Sequence, residues 1–409
     1  MRISLLQERE PFYTITARTL IRFWGEHYGQ NYSVRWLEKE KFEQDGSAQI
    51  WLMNAYLNAI FTPDISPEVF SPIRQEFSRS LVWWKRPFQK AYVQIATSSF
   101  GAPIMAHSRL VVEPSVPHSN KKIIVPGNHK IRLMDQRESV VYSILKQGFD
   151  PEFFSRELEN RHYAVELGIP VPPLIEVAKD DGWFSEKYIC GTPLNRLANS
   201  KLALNTKNTI IKHLTKLHDI TKKQESIKEY AAQTYHEILK HLGNNFEIKS
   251  VSNERLIHLA HNLYTLILKK SSGNTPTEIT TVRSHGDFQP ANVILSDEGV
   301  WLIDWEYSKR RQIYYDNLVF TLNSRSPEGL AKRLSTFVKK GINKKDWSPI
   351  NYGDDTIAAR SVYASLFLLE EFESSSHVNS QSVITNPDRG LTQLIQEIEL
   401  WLKDFDSYE

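Results

Sequence analysis

The chain has 409 residues, in which 50 Lys and Arg balance 48 Asp and Glu to a formal charge of +2. That length exceeds the usual single domain, so two or three packed units are expected, and so even a charge balance gives no ground for a nucleic-acid partner. The only cysteine, Cys190, excludes an internal disulfide; with no signal-like start and no apolar run near the roughly 20 residues of a membrane span, a cytoplasmic protein is expected.

Residues 1 to about 70 read as helical, with Leu20, Ile21, Trp24, Trp36, Trp51 and Leu52 set among charges. From Phe77 to Val112 the runs Val82-Trp83-Trp84, Ala91-Tyr92-Val93 and Leu110-Val111-Val112 suggest short strands. Five of the ten tryptophans fall before residue 85, and core anchoring is their commoner use, ahead of sugar stacking. Residues 113–120 read as a linker. Ile123-Ile124-Val125 is then an apolar strand, Pro126 to His129 a turn, and Lys130 to Met134 an alternating strand. Glycine at position 127 lets that turn bring backbone amides close to a phosphate.

A third strand, Val140 to Lys146, ends in a lysine. A helix follows, with Asp150 as N-cap, Pro151 at its first position and Gly168 as its stop. At about 100° per residue, Phe153, Phe154, Leu158, Ala164 and Val165 share an arc that also contains Glu157. An acid on an apolar face needs a partner, since burying an unpaired charge is costly. Lys146 is the natural cation and Lys130 the fallback. A strand pair ending in Trp183 to Tyr188 then leaves through Gly191-Thr192-Pro193-Leu194. Helices are expected over 208–218, near 226–242 and 252–270, and again near 327–340, 355–374 and 388–404, with a polar, mobile stretch from Ser374 to Pro387.

The most informative string is His285-Gly286-Asp287-Phe288-Gln289-Pro290-Ala291-Asn292, followed by Ile303-Asp304-Trp305-Glu306. Between them Val293-Ile294-Leu295, a turn at 296–299, and Val300 to Ile303 read as a hairpin. A hairpin returns its ends to one place, so Asp287, Asn292 and Asp304 should converge. Phosphoryl transfer from a nucleotide needs such a set, to orient and deprotonate a hydroxyl and to hold Mg²⁺ by oxygen ligands. A metal-dependent phosphoesterase using His285 and Asp287 would want further His and Asp clusters, and the other histidines are scattered singly.

The full string resembles the aminoglycoside phosphotransferase and choline kinase superfamily, distant relatives of protein kinases. The resemblance covers roughly residues 121–370. It implies a two-lobed, protein-kinase-like α+β fold, with residues 1–112 as an N-terminal extension, 121–190 as a β-rich N-lobe and 191–409 as a helical C-lobe. It implies Asp287 as catalytic base, Asn292 and Asp304 as Mg²⁺ ligands, and His285 as a brace for the loop. Lys146 would reach the nucleotide phosphates and pair with Glu157, and the Gly127 turn would cover the nucleotide. Backbone groups from Glu186 to Tyr188 would meet the base, so side chains do not separate ATP from GTP. His218 and Asp316 would be structural supports of the loop.

The implied activity is transfer of a γ-phosphoryl group to a hydroxyl of a small molecule: a sugar, aminoglycoside, amino alcohol or glycan-type acceptor. Glu306, Glu370, Glu371 and Glu373 hint at an acid-lined pocket for a cation; the tryptophan-rich extension would suit a glycan equally. The alternative is a pseudokinase-like binding or regulatory protein working through its extension, against which Lys146, Asp287, Asn292 and Asp304 are all present. The His-Arg-Asp, Asp-Phe-Gly and Ala-Pro-Glu strings of protein kinases are absent. Oligomeric state is left open.

Overall fold

A computed structural model describes residues 2–37, 48–77, 83–243, 253–272, 277–342, 355–386 and 389–405. The expected polar loop at 271–276 and the start of the last expected helix lie partly outside these residues. Two compact units divide the chain: residues 1–154 with 172–189, and residues 155–171 with 190–409.

The first unit has strands β1 (Ser33–Leu37), β2 (Gln49–Asn54), β3 (Ala59–Phe61), β4 (Ser108–Glu113), β5 (Lys122–Pro126), β6 (Lys130–Asp135), β7 (Val140–Leu145), β8 (Leu174–Ala178) and β9 (Trp183–Lys187). Its helices are α1 (Ile3–Arg9), α2 (Phe12–Tyr28), α3 (Ser71–Phe77), α4 (Arg86–Ala96) and α5 (Gly101–Met105). The strands form one nine-stranded sheet in the order β1-β4-β2-β3-β5-β6-β7-β9-β8. Strands from before residue 113 thus continue the sheet built after residue 121, joined where Ile60 faces Ile124.

Two expectations for this region are overturned. Residues 33–61 were expected to be helical and supply three strands. The cause is that both faces of the sheet are covered: Trp51 and Met53 enter one apolar core while Leu52 enters another. A strand buried on both faces loses the in-out alternation that identifies it. Conversely, Trp83–Lys85 is a short 3₁₀ turn and Ala91-Tyr92-Val93 lies within α4, not in a strand. The expected linker is itself packed: Val116 is buried, its N–H donates to Gln49 Oε1, and Gln49 Nε2 donates to Ser119 Oγ.

The second unit begins within α6 (Glu152–Glu166) and holds β10 (Gly191–Pro193), β11 (Lys223–Ser226), β12 (Glu278–Ser284), β13 (Val293–Ser296), β14 (Gly299–Leu302) and β15 (Lys309–Gln312). Its further helices are α7 (Ser200–Thr221), α8 (Ile227–Gly243), α9 (Asn253–Lys270), α10 (Tyr315–Thr321), α11 (Leu330–Lys340), α12 (Ile357–Asn379) and α13 (Arg389–Phe405). Two three-stranded sheets, β10-β13-β14 and β11-β12-β15, carry the loops of interest. Asn199 caps α7 by accepting the Leu202 N–H, as expected of an N-cap side chain.

The core of this unit gathers around α12, whose Leu366, Phe367, Leu368, Leu369 and Phe372 are all fully buried. Nearly every residue of this helix is buried, its polar C-terminal part included, and it runs on to Asn379, through part of the stretch expected to be mobile. Ser376, His377 and Asn379 are buried there, and Asn379 Nδ2 turns back to the Ser375 carbonyl. A β-rich unit and a mainly helical one make an α+β protein.

Candidate functional site

In the second unit the string 285–304 runs from β12 through a loop and a 3₁₀ turn (Pro290–Asn292) into the β13–β14 hairpin. The register pairs Val293 with Leu302 and Ser296 with Gly299, which returns the chain to its starting point as the spacing predicts. Phe288, Val293, Leu302 and Trp305 anchor it in one apolar cluster. The loop is fixed from below by Asp316 in the first turn of α10. Its carboxylate accepts the His285 N–H at 2.7 Å and the Gly286 N–H at 2.9 Å, and lies 3.2 Å from His218 Nε2. Burial opposes the Asp316 charge, yet the hydrogen bond and charge of His218, helped by the Gly286 amide, hold its pKa below the usual range.

Gly286 has φ +85°, and a Cβ there would stand 2.0 Å from the Tyr307 carbonyl oxygen. No other residue fits without moving the loop. His285 is buried and its pKa is lowered, chiefly by desolvation. A neutral ring suits its two bonds: Nε2 donates to the Ile303 carbonyl at 3.0 Å while Nδ1 accepts the Asp287 N–H at 3.3 Å. It ties the loop to the far strand of the hairpin, the bracing role expected of it.

Asp287 and Asn292 are in direct contact. Asn292 Nδ2 donates to the Asp287 carboxylate at 2.8 Å and to its carbonyl at 2.9 Å; Gln289 Nε2 adds a third bond at 2.9 Å. The Ile303 N–H donates to the Asn292 carbonyl at 3.0 Å, which brings the residue before Asp304 against Asn292. Asp304 itself has φ +72°, a left-handed conformation that Asp tolerates better than most residues and that clusters at functional positions.

One residue here carried no sequence signal. Arg325 Nε lies 2.5 Å from Asp287 Oδ1, Nη1 2.7 Å from Glu371 Oε2, and Nη2 2.7 Å from the Gly286 carbonyl. Burial works against its charge, but Glu371 and Asp287 hold its pKa well above the ordinary value.

The acids expected as a cationic pocket are buried and engaged. Glu371 also accepts the Tyr315 hydroxyl, Glu370 accepts the Tyr230 hydroxyl and the Gln312 N–H, and Glu373 pairs with Lys309. Glu306 is buried as well. His241 and His377 stand beside Glu373, but the Lys309 ammonium already meets that carboxylate, which disfavours a cation there.

The remaining expected residues divide between the units. Gly127 sits in the β5–β6 turn, its N–H donating to the Lys130 carbonyl. Lys146, directly after β7, is fully buried; its ammonium meets Glu10 and, at 3.0 Å, the Asn128 carbonyl. Arg9 donates to the same carboxylate and the same carbonyl. Glu186 lies in β9, the Lys187 N–H donates to the Pro173 carbonyl and the Tyr188 N–H to the Ser139 carbonyl. Glu157 is buried in the part of α6 that belongs to the second unit.

Residues 132–320 match the family model described as choline/ethanolamine kinase. Among solved structures the chain is similar to the choline kinase LicA of Streptococcus pneumoniae, at 16% identity over 71% of this chain and 93% of that one, with a TM-score of 0.44. An ethanolamine kinase of Plasmodium vivax gives 12% identity over 84% and 95%, TM-score 0.44. An aminoglycoside phosphotransferase of Streptomyces rimosus gives 15% over 64% and 92%, TM-score 0.37. No curated protein sequence matches the chain. Among the described residues no helix is long and apolar enough to cross a membrane. The family match spans the loop, the hairpin and α10, so this part of the chain is similar to the choline/ethanolamine kinases.

Proposed function

We propose that the chain transfers the γ-phosphoryl group of a Mg²⁺-bound nucleoside triphosphate, ATP or GTP, to a hydroxyl of a small molecule: a sugar, aminoglycoside, amino alcohol or glycan-type acceptor. The observation that supports the site is the direct bonding of Asn292 to Asp287 at the mouth of the hairpin. In this reading Asp287 orients the acceptor hydroxyl and takes its proton as the bond to phosphorus forms. Gln289, Asn292 and Arg325 hold the carboxylate in one orientation, so little reorganisation is needed at the moment of transfer.

The donor set fits Mg²⁺. Asn292 commits its Nδ2 to Asp287, which leaves Oδ1 as the end of the amide for a cation, and Asp304 supplies a carboxylate. One or two protein oxygens is the usual complement for Mg²⁺ at a nucleotide. The bound ion would neutralise charge on the phosphates. Lys146 and Glu157 are assigned to the phosphate side, with the Gly127 turn over the nucleotide and the Glu186–Tyr188 segment along its base.

Arg325 bears on how the acceptor hydroxyl is oriented and not on the charge of the acceptor: its guanidinium is already paired with both Asp287 and Glu371, so the cluster does not repel an ammonium.

The test is a thermal-shift titration with ATP and GTP, with and without Mg²⁺, beside Asp304→Asn, followed by an acceptor screen. A ligand that binds only the native state raises the melting temperature. A Mg²⁺-dependent rise lost in Asp304→Asn, and turnover on at least one small-molecule alcohol, is expected. No rise with either nucleotide would sink the reading; a rise without turnover on any alcohol would favour a binding or regulatory protein.

A further inference from the structure

Between Glu76 and Glu113 the chain has no Asp or Glu at all. Within that stretch the structure exposes large apolar side chains: Trp84 is 52% exposed, Phe88 72%, Ile95 54%, Phe100 82% and Ile104 62%. Single exposed apolar residues are ordinary, but a contiguous set is not. These are contiguous. Phe88 and Ile95 are seven residues apart on α4, two helical turns along one face. Gly101 packs against Ile95 so closely that a Cβ would stand 2.2 Å from the Ile95 carbonyl oxygen, which sets Phe100 beside it.

The helix divides into three arcs at about 100° per residue. Val93 and Ala96 face the core. Ala91, Ile95 and Phe88 fall on an outward arc. Arg86, Lys90 and Gln94 fall on a second outward arc next to it, and all six of these outward residues are exposed. Lys85 precedes the helix, its ammonium 5.2 Å from the Trp84 ring. Exposed apolar side chains beside a basic stripe, with an aromatic at the edge and no acid, match an interfacial helix: apolar groups enter the acyl boundary and cations meet headgroup phosphates.

We propose that the α4–α5 face of the first unit docks on an anionic lipid surface. The occupant is chosen on charge complementarity: a face with Lys85, Arg86 and Lys90 and no carboxylate in the segment attracts anionic lipid and would oppose a second copy of itself across a two-fold axis. The inference is independent of the proposed kinase site.

Flotation of the full chain with vesicles of phosphatidylcholine alone, or containing about one part in four phosphatidylglycerol, tests it. Binding is expected to the anionic vesicles only and to fall between about 0.1 and 1 M salt as the Debye length shrinks from ~10 to ~3 Å. Each basic residue near such a surface contributes about fivefold in partition. Lys85→Gln/Arg86→Gln/Lys90→Gln should therefore lower it about 100-fold, and Phe88→Ser/Phe100→Ser should abolish it. Both variants should keep the wild-type melting temperature. Absence of flotation by the wild type, or equal flotation with neutral vesicles, overturns the proposal. So does a dimer in sedimentation equilibrium, without flotation, that Phe88→Ser/Phe100→Ser dissociates, since that assigns the face to a second copy.

Discussion

Two groups of carboxylates in the second unit share a chemistry and differ in how they are used. Asp287 and Asp304 sit on the loop and hairpin end, where Asp287 is buried and bonded by the amides of Asn292 and Gln289, and Asp304 is half-buried. Glu370, Glu371 and Glu373 sit on α12, the central helix, and each is satisfied from inside the protein by Tyr230 and Gln312, by Arg325 and Tyr315, or by Lys309. Burial does not separate the two groups; their partners do, amides of its own loop for Asp287, and tyrosines, an arginine and a lysine from other elements for the α12 acids. Arg325 touches both groups, bonding Asp287 through Nε and Glu371 through Nη1.

The largest effect that would break this contrast lies at Asp287. Asp287→Asn removes the proposed base while keeping the shape that accepts from Asn292 and Gln289. General base catalysis contributes about 10²- to 10⁴-fold, so turnover should fall by that range with little change in nucleotide binding, while loss of the Arg325 ion pair lowers the melting temperature. Steady-state rates beside a thermal-shift titration check it. Turnover within a few-fold of the wild type would assign Asp287 to structure, as the α12 acids are.

The difference also explains what could be read from the sequence. Asp287, Asn292 and Asp304 are related by short covalent spacings and one tight hairpin, so the chain itself brings them together. Arg325 lies 38 residues from its carboxylate across three strands and a helix, and nothing local marks it. Glu10, which bonds Lys146 from 136 residues upstream, is likewise marked by nothing local. Glu370, Glu371 and Glu373 hint at an acid-lined pocket in the sequence, because a periodicity argument cannot see a helix enclosed on every side. In the sheet, β2 fails for a related reason: with Trp51 and Leu52 entering different cores, apolar residues follow one another and the two-residue period vanishes.

A smaller effect tests the bridge between the two groups. Glu371→Gln takes away one anchor of Arg325 and weakens the acceptor of the Tyr315 hydroxyl. Breaking a buried pair costs about 3–5 kcal/mol. Arg325 is 30% exposed, so screening brings the expected loss to about 2 kcal/mol, read as a lower midpoint in denaturant. Turnover should fall by less than in Asp287→Asn, because Gly286 and Asp287 still hold the guanidinium. A turnover loss as deep as that of Asp287→Asn would mean that the α12 acids take part in the chemistry.

The smallest effect is one of pH. Burial raises the Glu370 pKa to about 7, against the pull of Tyr230, the Gln312 amide and Arg311. The folded state therefore keeps a proton on Glu370 that the unfolded chain, near the ordinary value of 4.5, has already lost. Stability contributed by this group is present at acid pH and declines as pH rises toward the folded value, because the native state binds more protons across that window. Between about pH 5.5 and 8 the decline should be roughly 2 kcal/mol. Glu370→Gln keeps an acceptor for Tyr230 and cannot ionise, so its stability should lose this slope and exceed the wild type at the alkaline end. Denaturant midpoints for both proteins across that range decide the matter. Parallel profiles would mean that Glu370 is ionised in the folded protein, leaving α12 with a buried charge of the same kind as Glu373, whose pKa Lys309 holds low against the opposing effect of burial.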